Sequence, residues 1–484
     1  MNDVKKAVMT NWRWVMCAML FFATTVNYMD RQVLSLTFKE FIQPEFHWTD
    51  SDYGTITGVF SIAYAIFCLF AGKFIDWMGT KKGYLIAIIV WSLGAVMHAG
   101  CGWVTEQIVG VADKAALLEA TGTIVSTISM VSVWLFLACR LILGLGEAGN
   151  FPAAIKVTAE YFPKKDRAFA TALFNAGASV GALAAPATIP LLAKSLGWEM
   201  AFIIIGALGF IWAGVWIFVY DKPTESKHVN EAELAYIHQD EDAKEELKVA
   251  HVLKDDDQMS FAEAFKHKQT WSFAFGKFMT DGVWWFFLFW APAYFQDQFG
   301  IKASDPLGIW LIFTLYAIVT VVSLFGGYLP KIFVEKKGME PYAGRMRAML
   351  IFAFFPIFAL FAQPLGGVYG PWAVAIIIGI VGAAHQSWSA NIFSTTGDMF
   401  PKSAVATITG IGAMAGGIGS FLINKGSGML FDHAAEMGEA FKFAGFTGKP
   451  AGYMIIFCIC AVAYLIGWSV MKSLVPKYEP VVVK

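Results

Sequence analysis

The chain has 484 residues, of which 57% are apolar and 15% are charged, whereas average soluble domains are roughly 45–50% apolar and 25% charged. The net charge of −1 lacks the basic excess of nucleic-acid-binding proteins, so nucleic acid is excluded as a partner. Apolar stretches of about 20 residues, the length that crosses a bilayer as an α-helix, recur from end to end and predict a multi-pass, all-α protein solvated by the lipid bilayer.

Twelve membrane spans are predicted from these stretches. They cover approximately residues 13–36, 54–76, 83–103, 131–160, 167–196, 198–220, 269–296, 306–334, 346–365, 370–399, 403–432 and 450–473. The basic residues before the first span resemble the start of a signal peptide. No small-residue cleavage site follows them, so the first stretch is interpreted as a retained helix.

Polar segments divide the chain. The charged segment 221–268 separates an amino-terminal six-helix half, residues 1–220, from a carboxy-terminal six-helix half, residues 269–484, and is predicted to be a linker that includes a surface helix. A second polar segment, 104–130, contains "ADKAALLEA" and predicts a short helix outside the bilayer. Two six-helix halves joined by a polar linker are typical of transporters that bind their substrate near the bilayer midplane.

Lysine and arginine in the short loops predict the orientation, because these residues accumulate on the cytoplasmic side. With the amino terminus inside, the cytoplasmic segments hold 18 of these residues and the outer segments hold six. Both termini and the linker are therefore predicted to be cytoplasmic.

The segment "NYMDRQ", residues 27–32, places charges near the end of the first span. Each ionisable residue at the centre of a membrane helix costs roughly 2.5–3.5 kcal/mol on insertion scales. On a helix Arg31 shares a broad face with Asn27 and Tyr28, whereas Asp30 points about 100° away. The adjacent charges are therefore expected to face different surroundings. The alternative is an Asp30–Arg31 pair that extends to the outer interface.

The fourth span contains "CRLILGLGEAGNFPA", in which Arg140 and Glu147 are two turns apart on one face, roughly 10 Å along the axis. Its small residues allow neighbouring backbones to approach closely. A buried carboxyl beside an arginine is suited to loading and releasing a proton. A purely structural Arg140–Glu147 pair is the alternative.

Further polar and aromatic side chains lie inside other spans and are candidates for hydrogen bonding or stacking with a polyol. For each the alternative is a bond between helices or a lipid-facing position. The candidates are Tyr64, Asn175, Trp284, Ser387 and Asn391. The seventh span also pairs Lys277 with Asp281 at i,i+4, and the tenth span holds a lone His385.

Six cysteines, mostly in apolar segments, show no disulfide or metal-ligand spacing, so no metal site is predicted and they are interpreted as small apolar residues. A solute channel, a transporter-like sensor that binds without translocating, and a membrane-embedded transferase remain alternatives to a transporter. Charged residues spread through both halves disfavour the channel, and polar loops without clustered Asp or His residues disfavour the enzyme.

The loop "GKFIDWMGTKK", residues 72–82, resembles the signature between spans two and three of the major facilitator superfamily. The matching residues are Gly72, Asp76, Gly79, Lys81 and Lys82, which the resemblance identifies as a conformational gating loop. Trp77 stands where a basic residue is usual. A weaker electrostatic latch is therefore expected at this loop.

The blocks "NYMDR", "RLILGLGEAGNFPAAIKVTAEYFPKKDRA", "KFMTDGVWWFFLFWAPAYF" and "HQSWSANIFSTTGDMFPKSAVATITGIGAMAGGIGS" resemble the anion:cation symporter family of this superfamily, and most closely bacterial hexuronate transporters. The resemblance covers nearly the whole chain. It implies the major facilitator fold of 12 helices, substrate-carboxylate binding by Arg31 beside Tyr28 and Tyr64, and proton coupling through Asp30 and Glu147, with Arg140 coupled electrostatically. Phe393 and the stretch 412–413 depart from relatives that hold a Trp and an Asn at the sugar.

The resemblance and the residues together predict a proton-coupled importer of a sugar acid, such as glucuronate or galacturonate, in the bacterial inner membrane. It is expected to be non-enzymatic and to need no cofactor beyond the proton gradient. Its expected partners are a small organic anion, protons and lipid, and it is expected to function as a monomer. The alternative cargo is an aldonate, glucarate or another organic anion.

Overall fold

The computed structural model describes residues 9–239, 259–326, 328–400 and 402–481, and these form a bundle of long helices. The helices that precede the linker are α1 (Trp12–Thr37), α2 (Gln43–Phe46), α3 (Asp50–Met78), α4 (Thr80–His98), α5 (Cys101–Val109), α6 (Lys114–Leu118), α7 (Thr123–Glu147), α8 (Asn150–Tyr161), α9 (Lys164–Leu196) and α10 (Trp198–Val219). A π-helical turn, Phe38–Ile42, joins α1 to α2.

The linker contributes α11 (Glu231–His238) and α12 (Phe261–Ala264). The remaining helices are α13 (Lys268–Phe299), α14 (Pro306–Gly326), α15 (Tyr328–Lys337), α16 (Pro341–Phe354), α17 (Ala362–Tyr369), α18 (Pro371–Met399), α19 (Lys402–Met437) and α20 (Lys449–Leu474). Two 3₁₀ turns, Phe355–Phe361 and Gly438–Ala440, and one short hairpin, β1 (Lys442–Phe443) with β2 (Phe446–Thr447), complete the described chain.

Within these described ranges, ten helices are long and apolar enough to cross a membrane. The two predicted spans outside this set are α1 and α13, which have 26 and 32 residues and are therefore longer than a bilayer requires. Both carry several charged residues, and these lower their hydropathy. The multi-pass all-α fold is confirmed, and the count of 12 spans stays a prediction.

Several boundaries differ from the predicted ones because local structure interrupts the spans. The fourth span divides into α7 and α8 at Ala148–Gly149, just after Glu147. In the 104–130 segment, the predicted short helix is confirmed as α6, which Asp113 caps through its Oδ1 on the Ala116 N–H. The predicted linker helix corresponds to α11, and residues 240–258 of the linker lie outside the described residues.

Small residues set the closest helix contacts. In the first half α1 packs along α9 and α4 packs along α7, while in the second half α13 packs along α19 and α14 along α18. Between the halves α3 lies along α19, and α9 lies along α14. At Gly419 of α19 the backbone lies directly against the Phe278 carbonyl of α13, which leaves no space for a side chain.

This contact gives a stability prediction. Gly419→Ala should lower the thermal unfolding temperature in detergent, since the added Cβ overlaps the Phe278 carbonyl, and overpacking typically costs about 1–3 kcal/mol. Gly426→Ala on the same helix is the matched control, because a Cβ there meets open space and alanine favours helix. Equal unfolding temperatures for the two variants would contradict the inferred packing.

Candidate functional site: a buried charge cluster in the helix bundle

The polar segment of α1 is buried rather than interfacial. Asn27, Asp30 and Arg31 are each at most 5% exposed. Arg31 Nε donates to Glu147 Oε2 of α7 across 2.7 Å, which joins two helices in the interior. The alternative in which Asp30 and Arg31 extend together to the membrane surface does not match this arrangement.

Aromatic rings surround the Arg31 guanidinium. Its Cζ lies 4.4 Å from the centre of the Tyr64 ring, 5.2 Å from that of Tyr28 and 5.6 Å from that of Trp285 on α13. At these distances the rings stabilise the cation electrostatically. Arg31 Nη2 has no hydrogen-bond partner among the described residues, so the guanidinium retains a free donor.

Two more charged groups complete the cluster without direct partners. Both carboxyl oxygens of Asp30 and all three guanidinium nitrogens of Arg140 are buried and lack a hydrogen bond within the described chain. Arg140 Cζ lies 5.4 Å from the centre of the Phe60 ring. Because an unpaired ion costs several kcal/mol to bury, these side chains are unexpected in a purely structural core.

The pairing differs from the one that helical periodicity suggested. Arg140 and Glu147 were expected to share a face of one helix, but the hydrogen bond of Glu147 is to Arg31, 116 positions away in sequence. Sequence spacing identifies which residues share a helical face, whereas this bond depends on how α1 and α7 approach each other.

Tyr28, Arg31 and Tyr64 therefore come together, whereas the other predicted substrate-binding residues lie elsewhere. Trp284 stacks on His385 at a centroid separation of 5.5 Å. Ser387 packs against α14. Asn391 lines a pocket together with Pro330 and Arg345. Asn175 is exposed on α9. A role for Asn175, Trp284, Ser387 and Asn391 in binding substrate stays a prediction.

Trp285 is the residue that the sequence did not single out. Trp284 was the predicted candidate for stacking, but Trp284 and Trp285 are adjacent, and adjacent residues on a helix face directions about 100° apart. Only tertiary structure shows that Trp285, rather than Trp284, contacts Arg31.

The loop between α3 and α4 forms contacts within the first half. Asp76 accepts from Lys156 Nζ at 2.7 Å, and Lys81 Nζ lies 2.8 Å from Asp221. Gly79 has φ of +78°, a backbone conformation that favours glycine, and Gly72 has open space around it. Trp77 is 80% exposed, and Lys82 is exposed as well. The gating role of this loop stays a prediction.

The opposite end of the bundle, which holds residues 38–49 and 300–305, is called the outer end, following the predicted orientation. Here Lys39 Nζ lies 3.1 Å from Asp50 and 3.0 Å from Asp297, while Lys449 Nζ contacts Asp50 and lies 2.6 Å from Asp297. These four residues form a closed ring of alternating charge, which we call the outer ring.

The outer ring joins the π-helical turn after α1 and the start of α3, in the first half, to α13 and α20 of the second. Nearby, Asp432 of α19 accepts from the backbone N–H groups of Asp50 and Ser51 at the start of α3, at 2.9 and 2.7 Å. Ser304 Oγ also donates to Glu40 at 2.7 Å. The outer end is therefore closed in this structure.

A metal is not indicated by the described residues, which contain no group of three or more His, Cys, Asp or Glu side chains positioned to hold one. All six cysteines are free, although the sulfur atoms of Cys101 and Cys139 lie 3.7 Å apart.

Comparison with known proteins agrees with this architecture. The sequence model of the Major Facilitator Superfamily matches residues 20–423. The chain is 26% identical to the "Hexuronate transporter" of Escherichia coli (strain K12), covering 95% of this chain and 94% of that protein. It is 23% identical to the "Probable galactarate/D-glucarate transporter GarP" of the same strain, covering 95% and 96%.

Among solved structures, the chain resembles a bacterial homologue of the human lysosomal transporter Spinster, described as inward-facing and occupied. The TM-score is 0.64 at 18% identity, with 96% of this chain and 97% of that chain covered. At this identity the likeness supports the fold.

The outer ring gives a testable consequence. Asp297→Asn leaves the ammonium groups of Lys39 and Lys449 sharing one carboxylate, so their repulsion should loosen the outer end. Ser427, a fully buried residue of α19 near Asp50, serves as the reporter when replaced by Cys. A membrane-impermeant maleimide applied from outside should label Ser427→Cys faster in the Asp297→Asn background.

The control for this experiment is Glu439→Gln, which removes an exposed carboxylate next to the short hairpin at the same end. It should leave the labelling rate of Ser427→Cys unchanged. An unaltered rate in Asp297→Asn would show that the outer ring does not hold this end closed.

Proposed function

Because the chain belongs to the Major Facilitator Superfamily, we propose that it imports a sugar acid together with protons by alternating access. The proposed substrate is a hexuronate such as glucuronate or galacturonate. The observation that carries the proposal is the buried Arg31, which is paired with Glu147 at 2.7 Å and enclosed by aromatic rings. Two relatives that this chain matches over nearly their whole length are named as transporters, which supports a non-enzymatic role.

Arg31 is the proposed site for the substrate carboxylate. A guanidinium presents a planar fork of donors that matches a carboxylate in two parallel hydrogen bonds. Arg31 already holds one carboxylate, that of Glu147, and keeps Nη2 free. A substrate carboxylate would therefore compete with Glu147 for the same cation.

Charge balance provides the reason for proton coupling. Asp30, Arg31, Arg140 and Glu147 sum to zero when all four are ionised, so a bound monoanion makes this cluster negative. In a water-poor interior an uncompensated charge is costly. A proton on Glu147 or Asp30 restores neutrality, and on Glu147 it also releases Arg31 to the substrate.

The proposed cycle uses the two six-helix halves, residues 1–220 and 269–484, as bodies that rock around the charge cluster. Facing outward, the carboxyl groups take up protons and the substrate binds Arg31. The outer ring then closes, and the protons and substrate leave to the cytoplasm. The membrane potential contributes about 2.3 kcal/mol per elementary charge per 100 mV, and it assists if more protons than negative charges enter.

In the cell we place the protein in the bacterial inner membrane as a monomer, with both termini in the cytoplasm. The relatives support the class of cargo, because the names of two of them specify hexuronate and galactarate or D-glucarate. All these compounds carry a carboxylate that suits Arg31.

One assay tests the proposed substrate and its coupling together. Purified protein in proteoliposomes should accumulate labelled glucuronate when the outside is made acidic, and unlabelled galacturonate should compete. Binding detected by thermal shift without any uptake would instead indicate a sensor. Uptake that no hexuronate inhibits would overturn the hexuronate assignment.

Arg31→Lys is the first site variant. A lysine keeps the charge but loses the two-pronged contact, so the KM for glucuronate should rise about tenfold or more. Arg347→Lys, an exposed position at the inner end, is the matched control and should transport normally. An unchanged KM in Arg31→Lys, measured by initial uptake rates, would remove Arg31 from the binding site.

Glu147→Gln separates proton coupling from translocation. The amide cannot carry a proton, so accumulation driven by a pH gradient should be lost, while exchange of labelled for unlabelled substrate at equal pH should remain measurable. Exposed Glu119→Gln is the control and should retain both activities. Persistent accumulation in Glu147→Gln would place the proton carrier elsewhere.

A further inference from the structure

A second buried ion pair lies in α13, away from the charge cluster of α1 and α7. Lys277 Nζ is 2.7 Å from Asp281 Oδ2, one helical turn along, and the two side chains are only 7% and 13% exposed. The proposed transport of a monoanion through Arg31 does not use either residue.

The surroundings of this pair are shaped around it. Lys277 Nζ lies 4.4 Å from the centre of the Phe393 ring on α18. Asp281 packs against Gly416 of α19, where any Cβ would overlap the carboxylate. Three helices therefore contribute to this site, and α19 accommodates the carboxylate only because it has a glycine there.

Stability does not explain why the pair is present. Removing two charges from water usually costs about as much as their attraction returns, so apolar residues of similar volume would stabilise α13 equally well or better. Ionisable residues inside membrane helices instead mark binding sites or ion pathways. Lys277 is therefore expected to hold an anionic group of a ligand.

The position of Lys277 relative to Arg31 can be followed along α13. Trp285 contacts Arg31 and lies four residues beyond Asp281 on α13, about 6 Å along the axis. Because Lys277 Nζ is bonded to Asp281, the ammonium sits near the level of Asp281. Lys277, Asp281 and Trp285 recur at intervals of four residues and so share one face of α13. The two cations therefore lie along one face of this helix, at levels that differ by about one helical turn.

We propose that Lys277 is a second anion site, which binds the distal carboxylate of a six-carbon sugar dicarboxylate while Arg31 binds the first. The proposal rests on the proposed function, since it requires Arg31 to bind a carboxylate. An ammonium has three N–H donors, and the hydrogen bond to Asp281 uses one of them. Asp281 holds Lys277 in place and, through its own negative charge, limits how strongly a second carboxylate binds.

The decisive measurement is the ratio of kcat/KM for galactarate to that for glucuronate, in proteoliposomes. Glucuronate offers a neutral hydroxyl where galactarate offers its second carboxylate. Lys277→Gln should lower this ratio about tenfold or more, since a charge-assisted hydrogen bond is lost for only one of the two substrates. Asp281→Asn should raise the ratio, because it removes a competing negative charge at similar volume.

Two further variants control for folding. The double variant Lys277→Gln/Asp281→Asn leaves no unpaired buried charge, so it should be as stable as the unmodified protein and still show the lowered ratio. Lys268→Gln lies at the exposed start of the same helix, with a side chain 45% exposed, and should leave the ratio unchanged.

The outcomes separate this proposal from the one on which it rests. A protein that transports glucuronate but neither binds nor transports galactarate overturns the second site alone. Equal losses for both substrates in Lys277→Gln and in the double variant would also overturn it, because the pair would then be structural. Absence of uptake for every sugar acid would overturn the proposed function as well.

Discussion

The bond between Arg31 and Glu147 is the constraint from which the organisation of the first half follows. It places opposite charges of α1 and α7 within 2.7 Å in the buried interior, where an unpaired charge is costly. In the same half, small residues set close helix contacts, as where Gly177 of α9 lies against the α1 backbone at Phe21. The charged residues and the glycines are therefore parts of one arrangement.

The same arrangement accounts for what hydropathy could and could not reveal. Ten spans meet the length and hydropathy criterion in the described chain, and α1 and α13 do not. These two helices carry Arg31 and Lys277. The residues that lower the hydropathy of α1 and α13 are therefore the same ones that form ion pairs inside the bundle. Their assignment as spans rested on the length of their apolar stretches.

The sequence was sufficient to predict the helical bundle, the family and the position of four charged side chains inside the bundle, because charges inside apolar helices are conspicuous. These residues are Asp30, Arg31, Arg140 and Glu147. It could not predict that Glu147 bonds to Arg31, since helical periodicity relates residues only within one helix. The sequence could not predict the outer ring either. Its members lie at four separate helix ends, where each looks like an ordinary loop charge until the fold brings them together.

The Arg31–Glu147 and Lys277–Asp281 ion pairs differ in a way that suits them to different roles. Arg31 and Glu147 belong to different helices, so replacing Glu147 by a substrate carboxylate removes a bond that fixes α1 against α7. Lys277 and Asp281 lie one turn apart on a single helix, so an anion that binds Lys277 leaves the position of α13 unconstrained. Breaking a bond between two helices frees them to move relative to each other, so substrate binding can change the arrangement of the bundle. Breaking a bond within one helix has no such effect. The first pair is thus suited to coupling and the second to selecting the substrate.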